Sequence, residues 1–276
     1  MVLDSSVIKL NKYIKECDYF TNMIGVYDVL SAKIASKKSR LLFLSGYAFS
    51  SAYYGLPDEG FINQSDIIDL VSRIKSVLPN SFLIVDIDDG YSDPKIASYY
   101  AKRLHLSGAD GVILEDQQRP KKCGHLNGKS LRPIEEYLEV LRAVRQHNPN
   151  LFVIARTDES DIQMAVKRLD VYQKEKPNAL LADGLKSHES ITLLKNRFPN
   201  ELLVVNLIEG GKTPNISFSK AKSIGVNILN YSTPLIFAAY KSQVEYLEKL
   251  VTNDGLFPGD NDSQFELLNE EVKRDS

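Results

Sequence analysis

Short apolar segments alternate along the chain with longer stretches in which apolar residues recur at helical spacing. The short segments contain few polar residues, which is typical of strands buried on both faces of a parallel sheet. Eight such segments follow one another: Met23–Tyr27, Leu41–Leu44, Phe82–Val85, Gly111–Leu114, Leu151–Ala155, Ala179–Leu181, Leu202–Val205 and Val226–Leu229. This alternation predicts a repeated strand–helix architecture.

The longer stretches between these segments are predicted helices. Ser65–Leu78 keeps its apolar residues on one face, and another helical pattern begins after Pro133. Eight strand–helix units favour an α/β fold of the (β/α)8 TIM-barrel type. An open, doubly wound sheet is the alternative, because the sequence does not show whether the sheet closes.

Two segments lie outside a minimal barrel. Val7–Cys17 is a predicted extra amphipathic helix before the first strand, and Tyr240–Phe257 extends beyond the last unit. No linker rich in Pro, Ser or Gly divides the chain, so we predict a single domain over 1–276. Within it, the charged residues 258–276 are expected to form a mobile tail.

Composition narrows the function classes. The chain has 276 residues, 43% of them hydrophobic, and a net charge of -2, so no basic excess points to nucleic acid or to a membrane surface. The N-terminus resembles no signal peptide, and no apolar run is long enough to span a bilayer. Two cysteines, Cys17 and Cys123, form no disulfide framework. We therefore expect a cytoplasmic protein.

Acidic residues follow several of the predicted strands. Asp86 and Asp88 come after the third strand, Glu115 after the fourth, and Arg156 after the fifth. In a barrel of this type the active site lies at the carboxyl ends of the strands. Crowded carboxylates without histidine favour Mg2+, or Mn2+, over Zn2+, and Arg156 could hold a substrate carboxylate through its planar guanidinium. Other polar residues at these strand ends are Ser45, Gly46, Tyr47, Asp183, Asn206 and Ser232.

A long basic loop follows the fourth strand. It runs from Glu115 to Lys129, and its length and glycines are typical of a lid over a barrel mouth. Cys123 lies among Lys121, Lys122 and His125, and these positive neighbours are expected to lower the pKa of the thiol and fit it for proton transfer. A surface cysteine in a basic loop is the competing interpretation.

At these residues the sequence resembles the isocitrate lyase / phosphoenolpyruvate mutase superfamily over roughly 25–239. The Lys-Lys-Cys-Gly-His stretch is similar to the lyase branch, which includes 2-methylisocitrate lyases, oxaloacetate hydrolases and petal-death proteins. The ordered motifs that carry the resemblance are Ser45–Ala48, Gly55–Gly60, Asp86–Tyr91, Glu115–Gln117, Lys121–His125, Ala155–Asp158, Asn206 and Glu209–Pro214.

The resemblance implies a role for each matching position. It makes Asp86, Asp88 and Glu115 the Mg2+ site, directly or through water, and Cys123 the lyase proton donor. Asp58 matches an aspartate near the reacting centre. The backbone at Ser45 and Gly46 would receive a substrate carboxylate beside Arg156, and the other expected substrate-binding residues are Tyr47, Gly124, His125, Asp183, Asn206 and Ser232. It also implies a homotetramer, with the C-terminal helix possibly exchanged between subunits.

Three departures from the family pattern lie at the mouth. Phe43 stands where some lyases carry tyrosine, Asp183 where glutamate is usual, and Ser232 where a proline often follows the tyrosine. They leave the substrate open. The sequence predicts a Mg2+-dependent carbon–carbon lyase acting on a small 2-hydroxy di- or tricarboxylate of the methylisocitrate or malate type. The alternatives are oxaloacetate hydrolysis, P–C bond chemistry, or a metabolite-binding barrel without catalysis.

Overall fold

Eight parallel strands follow one another around a closed barrel, in which β1 pairs with both β2 and β8. The computed structural model describes residues 5–258 and 264–273. The strands are β1 Thr21–Val26, β2 Leu41–Leu44, β3 Phe82–Asp86, β4 Gly111–Glu115, β5 Phe152–Thr157, β6 Ala179–Ala182, β7 Leu203–Leu207 and β8 Ile228–Tyr231. The TIM-barrel prediction is confirmed, and the open-sheet alternative is wrong.

Eleven α-helices are present within the described residues. They are α1 Ser6–Glu16, α2 Val29–Ser36, α3 Gly46–Phe49, α4 Gln64–Val77, α5 Pro94–Leu106, α6 Ile134–His147, α7 Ile162–Tyr172, α8 His188–Arg197, α9 Phe218–Ile224, α10 Pro234–Thr252 and α11 Gln264–Lys273. Many begin at a polar side chain that accepts a hydrogen bond from a first-turn backbone N–H group, as Asp28, Asp93 and Asp161 do. These caps fix where each helix starts after its loop.

The N-terminal end of the barrel is closed by the predicted extra helix. In α1, Leu10 and Ile14 are fully buried and pack with the residues that fill the barrel interior, among them Met23, Phe82 and Phe152. Burying one large apolar side chain of this kind contributes about 1.5–3 kcal/mol. Substrate can therefore reach the interior only from the opposite end of the strands.

The C-terminal extension continues the last helix of the barrel. From Pro234, α10 runs for 19 residues, and the side chains beyond Ala239 are almost all exposed. A further helix, α11, lies within the predicted tail, whereas 259–263 and 274–276 are outside the described residues. The mobility of this tail stays a prediction. No helix in 5–258 or 264–273 is both long and apolar enough to cross a membrane.

Candidate active site

A narrow cavity opens at the carboxyl ends of the strands. It brings together most of the side chains predicted from the sequence. Its lining contains Ser45, Tyr47, Asp58, Asp86, Cys123, Gly124, Arg156, Asp183, Asn206 and Ser232, together with Phe43, Ile113, Leu181, Ile208 and Asn230. The remaining predicted residues, Gly46, Asp88, Glu115 and His125, adjoin this lining through the contacts described below.

Three carboxylates form the acidic side of the mouth. Asp86 keeps part of its surface accessible, but the surrounding protein desolvates it and the charge of Asp88 adds to this, so that its pKa rises to about 7. Burial likewise raises the pKa of Asp88 and raises that of Glu115 well above its usual value. The ionised form of this cluster is therefore costly unless cations lie beside it.

Glu115 gives the clearest sign of a missing partner. Both of its carboxylate oxygens are buried without a hydrogen bond, although Arg156 Nη2 lies 3.2 Å from Oε2 without hydrogen-bond geometry. Buried acceptors are almost always satisfied, so an unsatisfied pair marks the place of a water or an ion. No three His, Cys, Asp or Glu side chains among the described residues converge closely enough to hold a metal directly. Glu115 therefore offers unsatisfied acceptors to a cation or a water, and the metal site at the three carboxylates stays a prediction.

The lid residue Lys121 reaches into this acidic cluster. Its ammonium group donates to Asp58 Oδ1 at 2.8 Å and to Asp88 Oδ1 at 2.5 Å, and the side chain is only 1% exposed. Burial alone would lower the pKa of Lys121, but the charges of Asp88, Asp58 and Glu115 raise it well above its usual value. A charged lysine therefore lies directly against one of the predicted metal ligands.

Arg156 is the second cation of the mouth. Its guanidinium donates to both oxygens of Asp158 at 3.0 Å and lies 2.8 Å from Asp183 Oδ2. Burial would raise the pKa of Asp183, but Arg156, with hydrogen bonds from His125 and Asn206, holds it well below its usual range. Arg156 is thus rigidly oriented, and a substrate carboxylate would share it with these two aspartates.

The lid lies on this ion network because Gly124 has no side chain. A Cβ atom there would stand 1.9 Å from Asp183 Oδ2, 2.5 Å from Arg156 Nη2 and 2.6 Å from Asp158 Oδ1. Since real Cβ atoms do not come this close to other heavy atoms, only glycine permits the loop Glu115–Lys129 to lie here.

His125 joins the lid to the loop after β7. Its Nδ1 accepts the backbone N–H of Lys212 at 2.9 Å, which places the ring proton on Nε2, 3.2 Å from Asp183 Oδ1. A Cβ on Gly211 would be 2.3 Å from Nδ1, so the Gly-Gly-Lys sequence makes room for the ring. His125 therefore binds protein groups on both sides in the closed lid.

The expectation that positive neighbours lower the pKa of Cys123 is wrong. Burial raises the pKa of the Cys123 thiol to about 11 instead of lowering it. The lid lysines do not offset this effect, because Lys121 is committed to Asp58 and Asp88. The thiol lines the cavity in its protonated form at neutral pH, which is the form that a proton donor needs. Its catalytic role stays a prediction.

The backbone at the end of β2 is only partly free to bind substrate. The Ser45 N–H donates to the Val26 carbonyl at 3.1 Å, and the Ser45 hydroxyl caps α3 by accepting from Ala48 N–H. Gly46 N–H is in the first turn of α3 and has no acceptor within the helix. A Cβ on Gly46 would lie 3.1 Å from Asp86 Oδ2. Of the expected pair, Gly46 is the better amide donor.

Two asparagine side chains and one serine hydroxyl form a hydrogen-bonded chain along one side of the cavity. Asn206 Nδ2 donates to Asp183 Oδ1 at 2.9 Å, and Asn206 Oδ1 accepts from Asn230 at 3.0 Å and from the Ser232 hydroxyl. The other amide oxygen, Asn230 Oδ1, is buried without a partner, as is the hydroxyl of Thr233. Asn230, which lines the cavity, therefore still has hydrogen-bonding capacity for a ligand.

Sequence reasoning missed Lys121, Lys129 and Asn230 as members of the site. Lys129 donates to the Gly124 carbonyl at 2.5 Å and to Asp158 at 3.2 Å. The basic lid was visible as a charge pattern, but its sequence does not show which lysine enters the mouth. Asn230 stands just before a strand end, where inward-facing polar residues were to be expected.

The fold and site together define a (β/α)8-barrel enzyme with an acidic mouth, an oriented arginine and a cysteine-bearing lid. A family model described as phosphoenolpyruvate phosphomutase matches residues 12–251. Petal death protein of Dianthus caryophyllus is 31% identical over 264 residues, covering 92% of this chain and 82% of that protein. 2-Methylisocitrate lyase of Bacillus subtilis strain 168 is 33% identical over 224 residues, covering 79% and 73%.

Solved structures agree with these relatives. 2,3-Dimethylmalate lyase superposes with a TM-score of 0.91 at 28% identity, covering 98% of this chain and 92% of that one. Oxaloacetate acetylhydrolase bound to 3,3-difluorooxalacetate gives a TM-score of 0.90 at 29% identity, covering 97% and 93%. The chain belongs to the phosphoenolpyruvate mutase / isocitrate lyase superfamily, and its relatives assign it to the carbon–carbon lyases. The predicted family and enzyme class are confirmed.

Proposed function

We propose that this enzyme is a Mg2+-dependent carbon–carbon lyase that cleaves a small 2-hydroxy di- or tricarboxylate and releases a 2-oxo acid. The observation that carries the proposal is that one cavity holds a buried thiol, Cys123, and an oriented guanidinium, Arg156, beside the unsatisfied Glu115. The substrates named for the lyase relatives, methylisocitrate and dimethylmalate, belong to this chemical class.

Bound Mg2+, held by Asp86, Asp88 and Glu115 directly or through water, would stabilise the negative charge that develops on the substrate oxygens. Arg156 binds a substrate carboxylate, and Gly46 N–H adds a hydrogen bond at the end of β2. Both groups are fixed before substrate arrives, so little entropy is lost in orienting it.

Cleavage requires two proton movements. The 2-hydroxyl group loses its proton as the C2–C3 bond breaks and the C2 oxygen becomes a carbonyl. The electron pair stays on C3, and Cys123 donates its thiol proton there. Asp58 lines the cavity and is the candidate base for the hydroxyl proton. Since the pKa of Cys123 is raised to about 11, the thiol holds a proton for this step at neutral pH.

The closed lid excludes water during this reaction. Gly124 and His125 lie on the ion network of the mouth, so a bound substrate is covered on the lid side. An enolate formed in contact with bulk water would be protonated without control. The lid and the thiol it carries therefore act together.

A substrate panel tests the proposal. Purified enzyme is incubated with methylisocitrate, 2,3-dimethylmalate, malate, oxaloacetate and phosphonopyruvate, each with Mg2+ or with excess EDTA, and products are identified by mass spectrometry. We expect one 2-hydroxy acid to give a 2-oxo acid only with Mg2+, and Mg2+ or Mn2+ to restore turnover after chelation. Full activity in EDTA would exclude the metal, and cleavage of phosphonopyruvate alone would exclude the lyase.

Oxaloacetate hydrolysis is the second candidate, and Ser232 favours it. Hydration of a 2-ketone places a second hydroxyl group on C2, which needs one more hydrogen-bonding partner than a 2-hydroxy acid does. The Ser232 hydroxyl lines the cavity where the family often has proline, and oxaloacetate acetylhydrolase is among the structures most like this one. Oxalate and acetate as products in the panel would select this candidate.

We also propose that the enzyme is a homo-oligomer, a tetramer, in which the C-terminal helix packs on a second copy. In α10, Tyr240, Leu247 and Val251 are 69%, 59% and 77% exposed, more apolar surface than an isolated helix face usually shows. Light scattering coupled to gel filtration tests this: Leu247→Glu with Val251→Glu should lower the molar mass, and a monomeric wild-type protein would exclude it.

A further inference from the structure

Lys121 is the most unusual charged residue of the lid. It is a large side chain with almost no exposed surface, and its ammonium group contacts Asp58 and Asp88 deep in the mouth. Removing an ammonium group from water is costly, and a buried ion pair often stabilises a fold no better than packed apolar residues would. The burial of this charged side chain in the site therefore indicates a role beyond packing.

The lid has enough other contacts to stay in place. On its N-terminal side Arg119 donates to both carboxylate oxygens of Asp89, and the Gln117 side chain bonds to the backbone of Lys122. On its C-terminal side the backbone and side chain of Lys212 bond to His125 and to the Leu126 carbonyl. The charge of Lys121 is not needed merely to anchor this loop.

We propose that Lys121 couples the lid to the metal: with the lid closed, its ammonium group acts as an internal cation that competes with Mg2+ for Asp88. The inference rests on the proposed metal site at Asp86, Asp88 and Glu115. Two cations on one carboxylate repel each other, and the repulsion is strong in a buried site. The closed lid therefore weakens Mg2+ binding, and by linkage Mg2+ alone favours lid opening to the same degree.

An anionic substrate resolves this conflict. A di- or tricarboxylate brings negative charge between the metal and the lysine, so that both cations can be accommodated under one closed lid. The closed lid is then favoured when neither ligand is bound, or when metal and substrate are bound together. Metal alone leaves the lid open for substrate to enter, which gives an order of binding to the reaction.

Calorimetry of MgCl2 binding tests the competition without any turnover. Lys121→Gln removes the charge and keeps much of the length, and Lys122→Gln is the matched control from the next position, where the backbone bonds to the Gln117 side chain. We expect the Kd for Mg2+ to fall by about tenfold or more in Lys121→Gln, which corresponds to losing one modest charge repulsion. Lys122→Gln should stay within about twofold of wild type.

Hydrogen exchange of residues 121–129 in the wild-type enzyme gives a second readout that needs no variant. Exchange should rise several-fold when MgCl2 is added alone and fall when oxalate, a dicarboxylate probe, is added with it. Equal or weaker Mg2+ binding by Lys121→Gln, or lid exchange that Mg2+ alone leaves unchanged or lowers, would overturn the competition. Absence of any Mg2+ binding to either protein would instead overturn the proposed metal site.

Discussion

Two pairs of neighbouring acidic residues, Asp88–Asp89 and Glu115–Asp116, have nearly the same local sequence but opposite surroundings. The first residue of each pair faces the mouth, and the second faces the layer between strands and helices. Glu115 is the last residue of β4 and Asp116 follows it, so their side chains point to opposite sides. Asp88 and Asp89 lie in the turn after β3, where Asp88 has a left-handed backbone. All four are buried, so burial alone does not distinguish a functional carboxylate from a structural one.

The outward-facing carboxylates are satisfied by the protein. Asp116 accepts hydrogen bonds from Thr157 Oγ1 at 2.6 Å, Tyr172 OH at 2.8 Å and Asp158 N–H at 2.9 Å. Asp89 is paired with two guanidinium groups, those of Arg119 and Arg132. These aspartates fix the loops that follow β3 and β5.

The mouth-facing carboxylates are not satisfied in this way. Glu115 has no hydrogen bond, and Asp88 is bound by a lysine that belongs to the lid and not to the barrel. Natural proteins leave polar groups unsatisfied chiefly where a ligand completes them. Comparing the hydrogen bonds of the two carboxylates within each pair therefore separates active-site residues from residues that stabilise the barrel.

The largest expected effect is a loss of activity when Asp88, the mouth-facing member of the first pair, is replaced by alanine. Asp88→Ala should reduce kcat/KM at least about 10³-fold, because charge stabilisation by a bound metal accounts for several kcal/mol. Its melting temperature should stay close to that of wild type, since Lys121 keeps Asp58 as partner and like-charge repulsion is relieved. Steady-state kinetics and calorimetric melting measure the two quantities.

Asp89→Ala is the counterpart and should show the opposite profile. It removes a carboxylate that two buried or half-buried arginines share, a change that typically costs about 3–5 kcal/mol of unfolding free energy. Urea denaturation would show this loss. If Asp88→Ala unfolds the protein as readily as Asp89→Ala, the distinction between site and scaffold is wrong.

The fold was largely predictable because buried strands must be apolar. β2 occupies Leu41–Leu44 as predicted, but the segment predicted as Val226–Leu229 is displaced to β8, Ile228–Tyr231. The difference has a physical cause: near the mouth the inward positions carry polar functional residues, so the apolar run ends before the strand does. Asn230 in β8 and Arg156 in β5 are examples.

The site was predictable in its residue types but not in its electrostatics. Strand ends and family motifs located Asp86 and Arg156, because chain order alone places strand ends around one mouth. The pKa of Cys123 was predicted in the wrong direction, since sequence neighbours do not reveal burial. The position of Lys121 between Asp58 and Asp88 depends on how the lid folds back, which no local pattern encodes.

A smaller effect is expected from the thiol. Cys123→Ser keeps the size of the donor but raises its pKa, so for a lyase kcat should fall by about 10²–10⁴-fold. KM should change little, because Arg156 and the metal ligands still hold the substrate. Cys17→Ser, at the C-terminal end of α1, is the matched control and should be nearly silent. Near wild-type kcat for Cys123→Ser on the best substrate would rule out this donor and favour a reaction without carbon protonation.

The smallest expected effect is a pH dependence of stability that arises from the mouth-facing Asp86. The pKa of Asp86 is raised from 3.8 to about 7, so between these values the folded protein binds more protons than the unfolded chain. The free energy of unfolding contributed by this group therefore falls as pH rises through that window, by at most about 1.4 kcal/mol per pH unit. If Mg2+ binds Asp86 as proposed, it stabilises the ionised form, so the rise in melting temperature on adding MgCl2 should be a few degrees larger at pH 8 than at pH 6.

Thermal melts at both pH values, with MgCl2 or with EDTA, measure this difference. Asp86→Asn is the informative variant, because it removes the ionisable group but keeps nearly the same shape. In EDTA it should melt above wild type at pH 8, where wild-type Asp86 is ionised, and much closer to wild type at pH 6, where that group holds its proton. Its response to MgCl2 should be small at both values. Asp69→Asn, in the exposed Asp69–Arg73 pair of α4, supplies the control for a carboxylate outside the site and should leave the MgCl2 response intact. A MgCl2 response of equal size at pH 6 and pH 8 would mean that the metal does not compete with the proton on Asp86, and the mouth would then lose the electrostatic property that sets it apart from the scaffold.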